Sequence, residues 1–242
     1  MKKPETTTWR IEDGIGILTL NNPPENYLMK PEFVGLELMK SRIDGTGIRG
    51  LLITGEGRHF SAGADLDSLG ALSEDPRLLL QEMEKGKDLL SWIDDLKIPV
   101  VAAVRGVCFG GGFEIALACD IRVCSTNALF AFPETGHGIM PGLGGTAFLE
   151  LNSDDAIATE MILGGEMINA EKALKHHIVS YVVNTRELKQ FSLELLHKLT
   201  NGKDIKVINS VMQALKNTRS LPIAEAMKEE TRMFCELAIR AT

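Results

Sequence analysis

The segment that most constrains the fold is VVAAV at residues 100–104, a short, β-branched run with no polar position. Such a run reads as a strand buried on both faces, because a strand with one wet face alternates instead. IRVC at 121–124 has the same character. Between them lies GVCFGGGFEIALACD, where Gly110, Gly111 and Gly112 precede a helix-compatible stretch of Phe113, Ile115, Ala116, Leu117 and Ala118. The glycines therefore mark a helix N-terminus. An α/β chain follows, and 242 residues with 44% hydrophobic content supply the core for one large or two small domains.

The flanking segments extend the pattern. WRIEDGIGILTL alternates apolar and polar residues around Asp13-Gly14, which predicts a β-hairpin. Residues 31–43 show roughly helical spacing of Phe33, Leu36, Leu38 and Met39 before the strand GLLIT at 50–54. Pro76 suits a first helical position after Asp75, with Leu79, Met83, Leu90 and Ile93 on one apolar face. Beyond Val183 three helices are predicted near 186–199, 204–217 and 222–239, with no further strand. A boundary near 184 thus separates an α/β part, 1–184, from a helical part, 185–242. Strand, strand, helix order recurs along the first part, consistent with a coiled or spiral core.

Several classes of function are disfavoured. No run reaches the ~18 apolar residues of a membrane span, and the start MKKPETTTWR lacks an apolar leader, so a soluble, cytoplasmic protein is expected. With 26 Lys and Arg against 33 Asp and Glu, the net charge of −7 offers no general attraction for nucleic acid or anionic membrane. Cys108, Cys119, Cys124 and Cys235 form no CxxC pair and read as buried free thiols, not disulfides or zinc ligands. His176 and His177 read as a helix end, not as metal ligands.

Chemistry enters at three places. Ser61 to Ala64, after GLLIT and its turn, are small enough for a ligand to approach their amides, although an ordinary loop has the same composition. Gly110–Gly112 open a helix, where unpaired N–H groups stabilise negative charge. Neither GxGxxG nor GxxxxGK[ST] is present, which disfavours a phosphate loop. Glu114 follows within an apolar helix start, either a functional buried charge or a favourable first-turn acid. Glu134, 20 residues later (134 − 114), lies in FAFPETGHGIMPGLGGT, where Pro133 and Gly136 predict a loop after a short strand.

The stretches FSAGADL (60–66), IPVVAAVRGVCFGGGFEIALACDIRV (98–123) and FPETGHGIMPGLGGT (132–146) together resemble the crotonase, or enoyl-CoA hydratase/isomerase, superfamily, from about Trp9 to Val183. The resemblance implies a spiral of repeated strand-strand-helix units with a helical C-terminal part used for oligomerisation or as a lid, assembled as a homotrimer or homohexamer. It implies an oxyanion hole from the amides of Ala64 and Gly111, and a hydratase pair in Glu114 and Glu134. Water would add to Cβ of an α,β-unsaturated acyl thioester while a proton reaches Cα, as in fatty acid metabolism, with no metal or redox cofactor and CoA only as part of the substrate. Substrate contacts are expected from Ala62, Asp65, Leu66, Phe109, Gly110, His137, Met140 and Gly142; Phe109, Phe113 and Met140 are candidate acyl-pocket walls, with core packing the favoured reading for any one of them. His137 also suits a solvent-facing loop position. Arg58 either meets a CoA phosphate or is an exposed turn arginine.

Two departures from the family pattern bear on the carrier. Asp67 stands where CoA-binding members often carry lysine, and TAFLELNSDD after the GGT turn lacks the frequent basic residue. An acyl-carrier-protein thioester is therefore a second candidate substrate. Double-bond isomerisation and a non-catalytic thioester-binding subunit are the remaining alternatives.

Overall fold

The computed structural model describes residues 6–241, so the first part of the MKKPETTTWR segment and Thr242 lie outside the described residues. Strands β1 (Thr7–Glu12) and β2 (Ile15–Leu20) form the predicted antiparallel hairpin. Asp13 at φ 48° and Gly14 at φ 79° give its turn the two positive φ values that match strand twist. Helix α1 (Leu36–Ile43) and strand β3 (Gly50–Gly55) follow, then α2 (Leu66–Ser73) and α3 (Pro76–Asp94). The Asp75 side chain caps α3 by accepting from Arg77 and Leu78. α1 is shorter than the periodicity suggests. Phe33 and Val34 are buried from a bent segment, and the Glu32 carboxylate accepts the Leu36 N–H, which starts the helix there.

The centre of the chain repeats one unit. Strands β4 (Val100–Val104) and β5 (Val107–Phe109) lead into α4 (Gly111–Leu117); β6 (Ile121–Ser125) and β7 (Leu129–Ala131) lead into a 3-10 turn, Glu134–His137. Each unit gives one strand to each of two sheets. The larger sheet runs β1-β2-β3-β4-β6, with parallel pairing from β2 onward, and the smaller pairs β5 with β7 in parallel. Helices α5 (Gly145–Asn152), α6 (Asp155–Gly164) and α7 (Ala170–Lys175) come next. Strand β8 (Ile168–Asn169) edges the smaller sheet beside β7, and β9 (Tyr181–Val183) edges the larger beside β6.

The apolar character of β4 now has its cause. Val100, Ala102 and Val104 face the main core with Phe60, Leu90 and Phe113, while Val101 and Ala103 face a second cluster with Leu188, Leu193 and Leu196. Those leucines belong to α8 (Leu188–Thr200), which covers the second face of the large sheet. The boundary near 184 falls between β9 and this helix. α9 (Ile205–Ser220) and α10 (Ile223–Ala241) follow as expected. Cys108, Cys119 and Cys124 are buried free thiols, whereas Cys235 is exposed, because α10 turns it away from the side where Met233 packs. Among the described residues no helix is long and apolar enough to cross a membrane.

Candidate active site

Two loops meet edge to edge. The Ser61 N–H donates to the Val107 carbonyl and the Phe109 N–H to the Ser61 carbonyl (3.2 and 3.0 Å), a parallel bridge between Ser61 and Cys108. The approach leaves no room for a side chain: a Cβ on Gly112 would lie 2.6 Å from the Ser61 Cβ. Gly63, at φ 91°, packs so that its Cβ would lie 2.9 Å from the Phe109 carbonyl.

Ala64 is oriented by a second bridge. The Leu28 N–H donates to the Gly63 carbonyl and the Leu28 carbonyl accepts from the Asp65 N–H, so Ala64, between them, turns its own N–H away from Leu28. Gly111 is the first residue of α4, whose N–H has no intrahelical partner. Among the described residues neither amide meets a protein acceptor, and both residues line the same cavity.

Glu114, in the first turn of α4, is 2% exposed. Its Oε1 accepts from the amides of Leu143 (2.7 Å) and Gly145 (2.8 Å), the latter opening α5. Burial pushes its carboxyl up to about 7, against those two amides, with the nearby Glu134 charge adding to the rise. Glu134 opens the 3-10 turn and is half-buried; burial raises its carboxyl as well. Among the described residues its Oε2 has no protein partner, and its Oε1 would lie 2.7 Å from a Cβ at Gly110, whose φ of 49° and ψ of −127° also suit glycine.

Both carboxyls line an inner hollow, and Glu134 also borders an outer one. An inner cavity of about 240 Å³ is lined by Ala64, Asp65, Gly111, Glu114, Glu134, Met140 and Gly142, with Leu28, Leu69, Leu72, Leu79, Met83 and Leu143 as aliphatic walls and Lys30 beside them. An open outer cleft of about 610 Å³ is lined by Ala62, Leu66, Asp67, Phe109, Gly110 and His137. Ala64, Asp65, Leu69, Glu134 and Ile139 border both.

The structure separates the alternatives left open for three residues. Phe113 is no pocket wall: it is fully buried against Phe130 and Phe132, with ring centroids 5.3 and 4.8 Å away, because α4 turns it into the core. Phe109 borders the outer cleft instead of the inner cavity, since β5 ends there facing the entrance. Arg58 is exposed in the turn after β3 and lines neither hollow. Asp65 borders both hollows but spends its carboxylate capping α2, accepting from the Ser68 N–H at 2.8 Å; the Ser68 hydroxyl and then that N–H hold it below the ordinary aspartate range. His137 is exposed at the cleft rim.

Sequence reasoning missed Leu28, Leu143, Gly145 and Asn26. Buried Asn26, at φ 52°, donates to the Glu56 and His59 carbonyls (2.8 Å each), and its own carbonyl accepts from the Ser61 hydroxyl at 2.7 Å, anchoring the loop that carries Ala64. The only signal was NNPPEN, legible as a strand breaker.

A family model described as enoyl-CoA hydratase/isomerase matches residues 10–241. A probable enoyl-CoA hydratase of Bacillus subtilis is 33% identical over 233 residues, spanning 93% of this chain and 88% of the relative. A carnitinyl-CoA dehydratase of Salmonella typhi is 38% identical over 213 residues, spanning 87% and 80%. The crystal structure of an enoyl-CoA hydratase from Polaromonas sp. JS666 superposes with a TM-score of 0.88 at 29% identity, covering 95% of this chain and 90% of that one.

Proposed function

The chain belongs to the enoyl-CoA hydratase/isomerase family, and from that premise we propose that it adds water reversibly to an α,β-unsaturated acyl thioester. The observation that carries this reading is the placement of Glu114 and Glu134 on one cavity with two unpartnered amides, those of Ala64 and Gly111. In the proposed reaction the thioester carbonyl sits between these amides, which are already aimed at the charge that develops as the enolate forms. The pantetheine arm leaves through the outer cleft and the acyl chain enters the inner cavity.

Water is held between the two carboxyls. Glu114, fixed through Oε1, uses Oε2 to activate it for attack at Cβ, while Glu134, whose Oε2 has no protein partner, delivers the proton to Cα. Both carboxyls titrate above their ordinary range. Two such acids sharing one site favour a single shared proton near neutrality, the state this acid–base division needs. Dehydration reverses each role.

The acyl group proposed is a hydrocarbon chain. The inner cavity is aliphatic, none of its described lining residues is aromatic, and its one basic residue is Lys30. A trimethylammonium group, as a carnitinyl thioester carries, would meet no ring face there. The outer cleft is lined by Asp65 and Asp67 and by no lysine or arginine. That favours a second reading for the carrier: a protein-bound pantetheine, which has no adenosine phosphates to neutralise. A homotrimer or homohexamer would cover the apolar outer face of α10, where Phe234 is 68% exposed.

The test is loss of conjugated-thioester absorbance with crotonyl-CoA, longer enoyl-CoAs, crotonyl-pantetheine and crotonobetainyl-CoA. Glu114→Gln and Glu134→Gln should each lose on the order of 100-fold or more. Full activity in either variant refutes the pair. Equal turnover of crotonobetainyl-CoA refutes the hydrocarbon assignment.

A further inference from the structure

Helices α4 and α5 together build the carboxyl site, and both are short, with seven and eight residues. α4 contributes the Gly111 amide and Glu114; α5 contributes the Gly145 amide that holds Glu114. Helices this short have little stability of their own, so their placement depends on what holds their ends.

Both ends converge on Arg122 of β6, which is 4% exposed. One terminal guanidinium nitrogen donates to the carbonyls of Leu117 (3.4 Å) and Cys119 (2.7 Å), at the C-terminus of α4. The other donates at 2.9 Å to the side-chain oxygen of Asn152, the last residue of α5, whose amide nitrogen bonds back to the Phe148 carbonyl at 2.7 Å. Nε donates to the Ile178 carbonyl, just past α7. Every partner is an uncharged oxygen. Asp120, the neighbouring acid, accepts instead from the Val100 N–H and from Lys216. The cation thus sits at the carbonyl end of α4, where the dipole favours positive charge, and reaches α5 through the Asn152 side chain.

We propose that Arg122 is a positioning residue for the reaction, clamping the C-terminal ends of α4 and α5 so that their first turns hold the Glu114 carboxyl against the Leu143 and Gly145 amides. Packing alone asks only for volume at this place, and a buried arginine without an acid partner is a costly way to supply volume. A planar fork with fixed donor directions sets the mutual position of two helices, and lysine cannot reproduce it. The lever is short: Leu117 is one turn from Glu114. A displacement of ~1 Å at a reacting group can cost ~100-fold in rate.

The clamp makes a prediction that mere stabilisation does not. The two amides favour the charged carboxylate, so loosening them raises the pH at which Glu114 titrates. Glu134 is the charged group facing it and is unchanged in the variants. Arg122→Lys and Asn152→Ala would be made, and folding verified by circular dichroism. Side-chain carboxyl 13C NMR then follows Glu114, assigned by its absence in Glu114→Gln. Both variants should titrate higher than the wild type and lose about ten-fold in kcat with KM within about two-fold, the sign of a geometry needed in the transition state.

If Arg122→Lys does not fold, half-buried Asn152→Ala decides alone. Unchanged Glu114 titration in the folded variants overturns the clamp, whatever the melting temperature does. The rate measurement rests on the hydratase reading, and the titration does not. A wild type inactive on every enoyl thioester refutes that reading while the NMR titration still decides the clamp.

Discussion

Replacing Glu114 with glutamine should remove activity and stabilise the fold, with a gain that depends on pH. The wild-type carboxyl titrates at about 7 when folded, against 4.5 for an unperturbed glutamate, the value that stands for the unfolded chain. Because the folded value is the higher one, the folded state binds the extra proton. The associated stability is fully present below about pH 4.5 and is lost as pH rises through about 7. At 1.36 kcal/mol per pH unit the full loss is about 3 kcal/mol.

Glutamine carries no charge to desolvate, and its carbonyl oxygen can accept from the Leu143 and Gly145 amides as Oε1 does. Between about pH 5.5 and 8.5 the advantage of Glu114→Gln over the wild type should therefore grow by about 2 kcal/mol. For a chain of this size that is about 4 to 8 °C in melting temperature. Glu134 titrates in both proteins, and its repulsion with Glu114 is lost in the variant, which acts in the same direction as the removed burial cost. Thermal unfolding of the two proteins at both pH values measures it. A melting-temperature difference that stays constant or shrinks as pH rises would show that burial does not hold Glu114 protonated.

Gly111→Pro removes one amide hydrogen at the first position of α4, where proline is tolerated. A loss of ~100-fold or more in kcat with the fold retained is expected by steady-state assay, whereas an unchanged rate excludes that amide as an oxyanion donor. Asn26→Ala strands the Glu56 and His59 carbonyls and places alanine at φ 52°. It should cost about 2 kcal/mol in urea unfolding and lower kcat through the loop bearing Ala64. Lys216, 8% exposed, pairs with Asp120 at 2.5 Å, joining α9 to the turn between α4 and β6. Lys216→Ala leaves Asp120 largely buried without its cation, and an unfolding cost of about 3 kcal/mol is expected by the same method.

Much of this protein is legible in local sequence. The hairpin turn follows from the positive φ that Asp13-Gly14 accepts, the start of α3 from Asp75 and Pro76, and the double-sided burial of β4 from an unbroken apolar run. Gly110–Gly112 mark a helix start, and Glu114 and Glu134 are notable as acids in apolar surroundings. Each of these signals is read within a turn or two of chain, where backbone sterics, capping and side-chain periodicity act. The bent segment 31–35 escaped because Phe33 and Val34 continue the apolar pattern, while the Glu32 side chain takes the helix's first N–H.

The rest depends on distance through space. Glu114 is held by amides 29 and 31 residues away, and no residue type announces a free backbone N–H. Phe109 and Phe113 are indistinguishable as letters, yet one borders the entrance and the other fills the core, because the switch from β5 to α4 redirects the chain between them. The fork of Arg122 reads as one polar residue in a strand until the carbonyl end of α4, the Asn152 side chain of α5 and the Ile178 carbonyl are brought to it. Local stereochemistry determined which elements form and which acids stand out. Only the pairing of β5 with β7 and the docking of α5 against α4 decided that those acids share a cavity with two free amides, because that meeting requires long-range register that no short stretch of sequence encodes.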